Sequence, residues 1–273
     1  KLGRFSLIGM DPKIILEYKN DRAYFLEREG LRTSSNGKLL DTIKSLLKRY
    51  QFVPDHKLPA LVGGLVGYIG YELVQQFEEV TFRVKNGISV PDAVLFFPIN
   101  LVVFDHIKHQ LKLIHLAHID GSPKKAYQKA IREIAQMKNK LNQSIVERNN
   151  KRKPVSNKVQ FRSNIGQKKF ESIVRKAKEH IRAGDCIQIV LSQKFSLGFV
   201  PDDFKLYRTL RSLNPSPYMF YFRHKDLSLV GSSPEMLAKK TGRVAEIRPI
   251  AGTRPRGETE KEDLAYETQL RSS

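Results

Sequence analysis

Apolar and polar residues alternate in short runs near the start of the chain. Residues 5–8, 13–18 and 23–28 each read as a strand, with Asn20 and Asp21 forming the turn between the last two. Leu39, Ile43, Leu46 and Leu47 recur at helical spacing, which predicts a helix over 39–50, broken by the prolines at 54 and 59. A glycine-punctuated apolar run, LVGGLVGYIGYEL, covers 61–73. Residues 93–104 and 110–119 read as paired strands across a turn at 105–109. Ser122 stands at an N-cap position with Pro123 at the first helical position. The helix it opens runs on Ala126, Ala130, Ile131, Ile134 and Leu141.

The stretch 142–160 is polar, basic and interrupted by Pro154, so it reads as a linker. A second helix is predicted over 167–183, with Phe170, Ile173, Val174, Ala177 and Ile181 on one face and Gly184 at its end. Residues 186–197 read as one long strand, and Pro201 and Asp202 start a helix through Leu213. Residues 218–223 and 227–230 form a hairpin, Ser233-Pro234-Glu235 opens a short helix, and 243–250 is a further strand ending at a loop over 251–257. No internal repeat is present. Antiparallel-looking strands interspersed with helices argue for an α+β fold, antiparallel sheets packed with helices, over a doubly wound parallel one. The linker divides the chain into regions 1–150 and 151–273.

Composition narrows the class. The 273 residues suit one or two domains, and 40% apolar and 9% aromatic residues suffice for a core. Lys and Arg number 48 against 28 Asp and Glu, a net charge of +20. Between Lys124 and Arg182 there are 18 basic and 4 acidic residues, a local +14. A basic stripe can bind nucleic acid. Base-stacking aromatics are sparse there, so the stripe reads as a solvated helix face and linker, without a nucleic-acid partner. The single cysteine, Cys186, excludes a disulfide framework and any cysteine-based zinc site, and its strand pattern suggests a small buried hydrophobe. The longest apolar stretch, 60–70, is too short to span a bilayer, and Lys1-Leu2-Gly3-Arg4 runs straight into a strand pattern with no signal peptide. A soluble cytoplasmic protein is expected.

Several conventional signals lead nowhere. His106/His109 and His115/His118 are spaced by three on strands, which sends the members of each pair to opposite faces rather than onto one metal. Gly63, Gly64, Gly67 and Gly70 do not spell a dinucleotide fingerprint and suit close strand packing. No Ser/His/Asp arrangement is legible.

Three later segments are more informative. Asn214-Pro215-Ser216-Pro217-Tyr218-Met219 is a rigid turn that delivers a tyrosine and a methionine. Val230-Gly231-Ser232-Ser233-Pro234-Glu235 places a carboxylate in the expected first turn of a helix. Arg248 to Gly257, RPIAGTRPRG, is a strand running into a basic glycine loop that suits a carboxylate-bearing ligand. Each alone is a turn, a helix start or a basic loop.

Together, in this order and spacing, they resemble the chorismate-utilising enzymes, most closely the anthranilate synthase component I branch. The resemblance extends to GRFSLIG at 3–9, GLVGYIGYE at 64–72 and IRAGDCIQIVLSQ at 181–193. Isochorismate and salicylate synthases carry a lysine base where Gln188 stands, because they activate water. Ammonia attacks without prior deprotonation and needs no such base. Aminodeoxychorismate synthases, the alternative within the family, typically carry lysine in a PIKGT loop where this chain has Ala251. NPSPYM is the form associated with tryptophan feedback. A non-catalytic tryptophan- or nucleic-acid-binding module is the alternative outside the enzymes.

The resemblance implies conversion of chorismate and ammonia to anthranilate and pyruvate in tryptophan biosynthesis. It implies Mg²⁺ as cofactor and a glutamine amidotransferase subunit, anthranilate synthase component II, as the partner supplying ammonia. Glu235 would be the general acid for loss of the C4 hydroxyl, with Gln188 at the base position. A helix N-terminus would lower the Glu235 pKa, so burial would have to offset it. Gly252 and Thr253 would hold chorismate. Asn214, Pro217, Tyr218 and Met219 would form the tryptophan site, with Arg4 near it. The family's acidic metal ligands are expected beyond Ser273, and its Leu-Glu-Ser tryptophan contact before Lys1. The chain thus reads as a fragment at both ends, inactive as a synthase by itself.

Overall fold

The computed structural model describes residues 3–28, 30–53, 55, 58, 62–82, 88–144, 160–198, 202–248 and 252–272. Contacts divide the chain into two compact units, Lys1–Ile145 with Asn214–Ser273, and Val146–Leu213.

The first unit is built on a six-stranded antiparallel sheet. Its strands are β1 (Phe5–Lys19), β2 (Arg22–Glu27), β3 (Arg32–Asn36), β4 (Val66–Ile69), β5 (Ala93–Asp105) and β6 (Gln110–His115). They lie in the order β3-β2-β1-β5-β4, with β6 also pairing β5. Two strands expected at the start are one. Pro12 pairs with Pro98 and Ile14 with Phe97, so Lys13 is bulged out and the strand bends without ending. Asp11 takes a left-handed φ of 49° beside the bulge.

The alternation along β1 sorts its side chains between two faces. Ile14, Leu16 and Tyr18 are buried, and Leu16 and Tyr18 join Ala23, Leu39, Leu73, Ala93 and Leu95 in a core cluster to which helix α1 (Leu39–Leu47) contributes. The fully buried Tyr18 hydroxyl donates to the Gly37 carbonyl at 2.7 Å and accepts from the Gln76 amide at 2.8 Å, which removes the cost of burying it. A second cluster holds Val62, Leu101, Val103 and Ile114. Helix α2 (Pro123–Asn142) lies against β6 with Met137 buried. Ser122 occupies its N-cap, but the hydroxyl makes no capping hydrogen bond.

In the second unit, helix α3 (Gln167–Arg182) has Phe170, Ile173, Val174 and Ala177 half-buried, and Gly184 closes it at φ +83°. Helix α4 spans Asp203–Leu213. The long strand expected over 186–197 does not form. Only β8 (Phe195–Ser196) pairs, with β7 (Arg162–Ser163), while Ile187 and Val190 are 97% and 84% exposed. An alternating pattern becomes a strand only where a neighbour takes its hydrogen bonds, and among the described residues none lies beside 186–194.

The chain then returns to the first unit as the hairpin β9 (Tyr218–His224) and β10 (Leu227–Ser233), a smaller pair β11 (Lys239–Thr241) and β12 (Val244–Glu246), and helix α5 (Glu260–Ser272). The short helix expected at 233–235 is absent, because Ser233 is the last residue of β10 and irregular chain leads to β11. Of the strand expected over 243–250, residues 249 and 250 lie outside the described residues.

Candidate functional site

The Asn214–Pro217 turn leads into β9, and its two prolines fix the backbone there. Tyr218 pairs with Ser233 and Met219 with Ser232, so the NPSPYM and GSSPE segments lie side by side at the open end of one hairpin. The Ser232 hydroxyl donates to the Asn214 carbonyl at 2.7 Å. The Phe220 ring lies over Gly231, where an added Cβ would stand 2.1 Å from it. Ser233 donates to the Glu235 carbonyl at 3.1 Å. Glu235 is exposed and follows a strand, so it does not stand in the first turn of a helix. Asn214, Pro217 and Tyr218 are exposed, while Met219 is half-buried.

The start of the chain reaches the same end. A Cβ on Gly3 would stand 3.7 Å from the Pro217 carbonyl oxygen. The adjoining Arg4 guanidinium is held by Asp105, with Nε and Nη2 donating at 3.2 and 2.9 Å. Those bonds, joined by the amides of Lys108 and Ile107, hold the Asp105 carboxyl well below the ordinary carboxylate range.

The other end of the hairpin is fastened to the sheet. Phe222 stacks on Phe96 at 4.7 Å and meets Tyr68 edge-on at 5.8 Å, and His224 lies edge-on to Phe96 at 5.6 Å. His224 Nε2 donates to Glu17 Oε1 at 2.6 Å, and Lys225 donates to the same oxygen. Burial pushes the Glu17 carboxyl up, but the bonds from Lys225 and His224 outweigh it and hold it below its ordinary value.

The loop Gly252–Gly257 is anchored to α5. A Cβ on Gly252 would meet Leu270 at 3.0 Å, and one on Gly257 would meet the Asp263 nitrogen at 2.3 Å. Gly257 donates its amide to Asp263 at 2.9 Å, and Arg256 pairs with the same carboxylate at 2.6 Å. Gly252 and Thr253 are exposed, and Ala251 lies outside the described residues. Gln188 is exposed on an irregular stretch of the other unit, where Cys186 is half-buried.

Sequence reasoning missed Glu17, His224 and Asp263. It also missed the capping box of α5, whose T-x-x-E signature at 259–262 was there to be read. Neither of the two histidine pairs is joined by its own bonding: His106 bonds to Ser6 and His115 to Asn100. Among the described residues no group of three or more His, Cys, Asp or Glu side chains could hold a metal, so they offer no all-protein metal cage. No described helix is long and apolar enough to cross a membrane. A shallow cavity of about 390 Å³ at α1, lined by Ser35, Lys38, Thr42 and Arg49 among others, includes none of the sequence-selected residues.

A profile of the chorismate binding enzyme family matches residues 4–273. The chain belongs to the chorismate binding enzyme family. Among curated members, anthranilate synthase component 1 of Acetivibrio thermocellus is 35% identical across the whole chain, which covers 56% of that protein. The protein of the same name from Aquifex aeolicus is 36% identical, with 55% of its length covered. In the crystal structure of anthranilate synthase component I from Streptococcus pneumoniae TIGR4, 57% of the chain superposes on 99% of this one, with a TM-score of 0.77 at 27% identity. This family member is therefore α+β with the component I-like fold that its motifs implied, and it spans a little over half the length of the curated relatives it matches.

Proposed function

We propose that these residues are part of the large subunit of anthranilate synthase. That enzyme converts chorismate and ammonia to anthranilate, pyruvate and water, with ammonia drawn from glutamine by an amidotransferase partner. The observation that carries the reading is the register of β9 and β10, which sets NPSPYM against GSSPE in a chain of this family.

In this reading Glu235 delivers the proton with which the C4 hydroxyl departs as water. Proton delivery by a positioned acid works best away from water, so closure of the site over the exposed Glu235 when chorismate binds is part of the proposal. Gly252 and Thr253 hold the substrate through a backbone N–H and a hydroxyl. Gln188 supplies a neutral amide where a water-activating enzyme needs a base. Asn214, Pro217, Tyr218 and Met219 form a tryptophan site, and the approach of Gly3 to Pro217 supports including Arg4 beside it. Mg²⁺ belongs to the proposal, its ligands lying outside the described residues. The 273 residues alone are proposed to be inactive, and the full-length enzyme is placed in the cytoplasm by this reading.

The test is anthranilate fluorescence from the full-length polypeptide with chorismate, ammonium and Mg²⁺. Anthranilate formed by the full-length protein and not by these 273 residues supports the reading. Release of aminodeoxychorismate in its place assigns the chain to the sister enzyme, and no turnover of chorismate rejects the reading.

A further inference from the structure

Most of what fastens the hairpin to the sheet is apolar and tolerant of sliding. The apolar burial in contacts such as Phe222 on Phe96 is non-directional and survives small displacements. The Glu17 contact is of another kind. Its carboxylate is 13% exposed, and the buried His224 and the more exposed Lys225 both donate to a single oxygen of it. A carboxylate so far out of water requires those donors, and a 2.6 Å hydrogen bond admits little displacement. Glu17 is itself fixed in mid-sheet, paired with Tyr24 on one side and Val94 on the other.

We propose that Glu17 is a positioning residue which, through His224, sets where the open end of the hairpin lies. The inference rests on the anthranilate synthase reading above for what that open end does. From His224 to Tyr218 the strand runs unbroken, roughly 20 Å at the usual rise per residue. A shift at the Glu17 end is therefore carried to Tyr218 and Met219, and through their partners Ser233 and Ser232 toward Glu235, whose carbonyl accepts from the Ser233 hydroxyl. Neither Glu17 nor His224 touches ligand in this scheme.

The test uses the full-length polypeptide carrying His224→Phe, which keeps the ring contact with Phe96 and removes the donor. His224→Gln, which keeps a donor, is the rescue variant, and Glu17→Gln removes the charge. In His224→Phe the tryptophan concentration for half-inhibition is expected to rise about tenfold, within the range usual for coupled sites, with the KM for chorismate changed less than about twofold. His224→Gln restores most of the inhibition, and Glu17→Gln combined with His224→Phe is no worse than either alone. A purely structural role would lower kcat through the active fraction and leave the half-inhibiting concentration unmoved, which overturns the proposal. Should the wild type make no anthranilate or ignore tryptophan, the functional reading fails. The positioning claim is then decided by the Met219 methyl NMR resonance of the same protein: a shift in His224→Phe that His224→Gln reverses sustains it, and an unmoved resonance overturns it.

Discussion

The Ser232 hydroxyl and the Asn214 carbonyl, 18 residues apart, meet at 2.7 Å and close the turn before β9 onto the end of β10. This bond ties the NPSP turn to the strand that leads to Glu235. Ser232→Ala is expected to cost about 1 kcal/mol, the usual net value of one hydrogen bond. Urea melts would measure the cost, and in the full-length protein tryptophan inhibition should weaken in parallel. An unchanged midpoint and unchanged inhibition would show that the bond does not hold the turn.

Gly67 is a backbone requirement. A Cβ there would stand 1.9 Å from the Val94 carbonyl oxygen, which is part of β5 and cannot swing aside. Gly67→Ala should destabilise by roughly 2–3 kcal/mol, in the range of overpacked sites. Gly198→Ala, where nothing lies within 4 Å, should change stability by less than about 0.5 kcal/mol. Equal effects of the two in thermal melts would contradict the close approach of β4 to β5.

The start of α5 depends on its capping box. Thr259 accepts from the Glu262 amide at 3.3 Å, and the Glu262 carboxylate accepts from the amides of Glu258 and Thr259 at 3.0 and 3.3 Å. Thr259→Ala should cost about 1 kcal/mol and raise amide exchange in the first turn of α5 and at Gly257. Exchange confined to Glu262 would show that the loop is held independently of the cap.

Acid should undo the Arg4–Asp105 contact in a defined direction. The Asp105 carboxyl is held below its unfolded value, so the stability it contributes is present above about pH 4 and lost as pH falls through the folded value. Asp105→Asn should therefore be less stable than the parent at pH 7, with a shallower loss below pH 4. Denaturant midpoints across pH 3–7 check this, and parallel curves for the two proteins would remove Asp105 as a source of the acid dependence.

Glu235→Gln should lower anthranilate formation by the full-length protein roughly 10²–10⁴-fold, the usual contribution of a general acid. Because the side chain is exposed, the melting temperature should hardly move. Retained turnover with a retained fold would take the proton-donor role away from Glu235.

What the sequence disclosed follows from how local each signal is. Phe170, Ile173, Val174 and Ala177 announce α3 because helical spacing is a property of a few neighbouring residues. The hairpin was legible over 218–223 and 227–230 for the same reason, since alternation is local, but its extension to Ser233 was not. The single strand β1 was not, because Asp11 and Pro12 look like terminators and only pairing with distant β5 carries the strand past them. β3, with the sequence RTSSN, shows no apolar face at all and is a strand because β2 lies beside it. Ser-Pro-Glu carries a helix-start signature, yet β10 extends over its serine. In the candidate site, the segments were readable one at a time through their family likeness. The Glu17–His224 contact was not, because it depends on pairing between residues far apart in the chain.

That last contact has a consequence for how the protein is made. Glu17 and His224 are 207 positions apart, and the second unit is threaded between them in the chain. At common translation rates, roughly 10–40 s pass between synthesis of the carboxylate and synthesis of its imidazole partner. During that interval β1 can pair with β2 and β5 while one face of the nascent sheet stands uncovered at Glu17, Tyr68 and Phe96. Docking of the hairpin is thus a late, high-contact-order step, and its speed governs how long that face is open to aggregation.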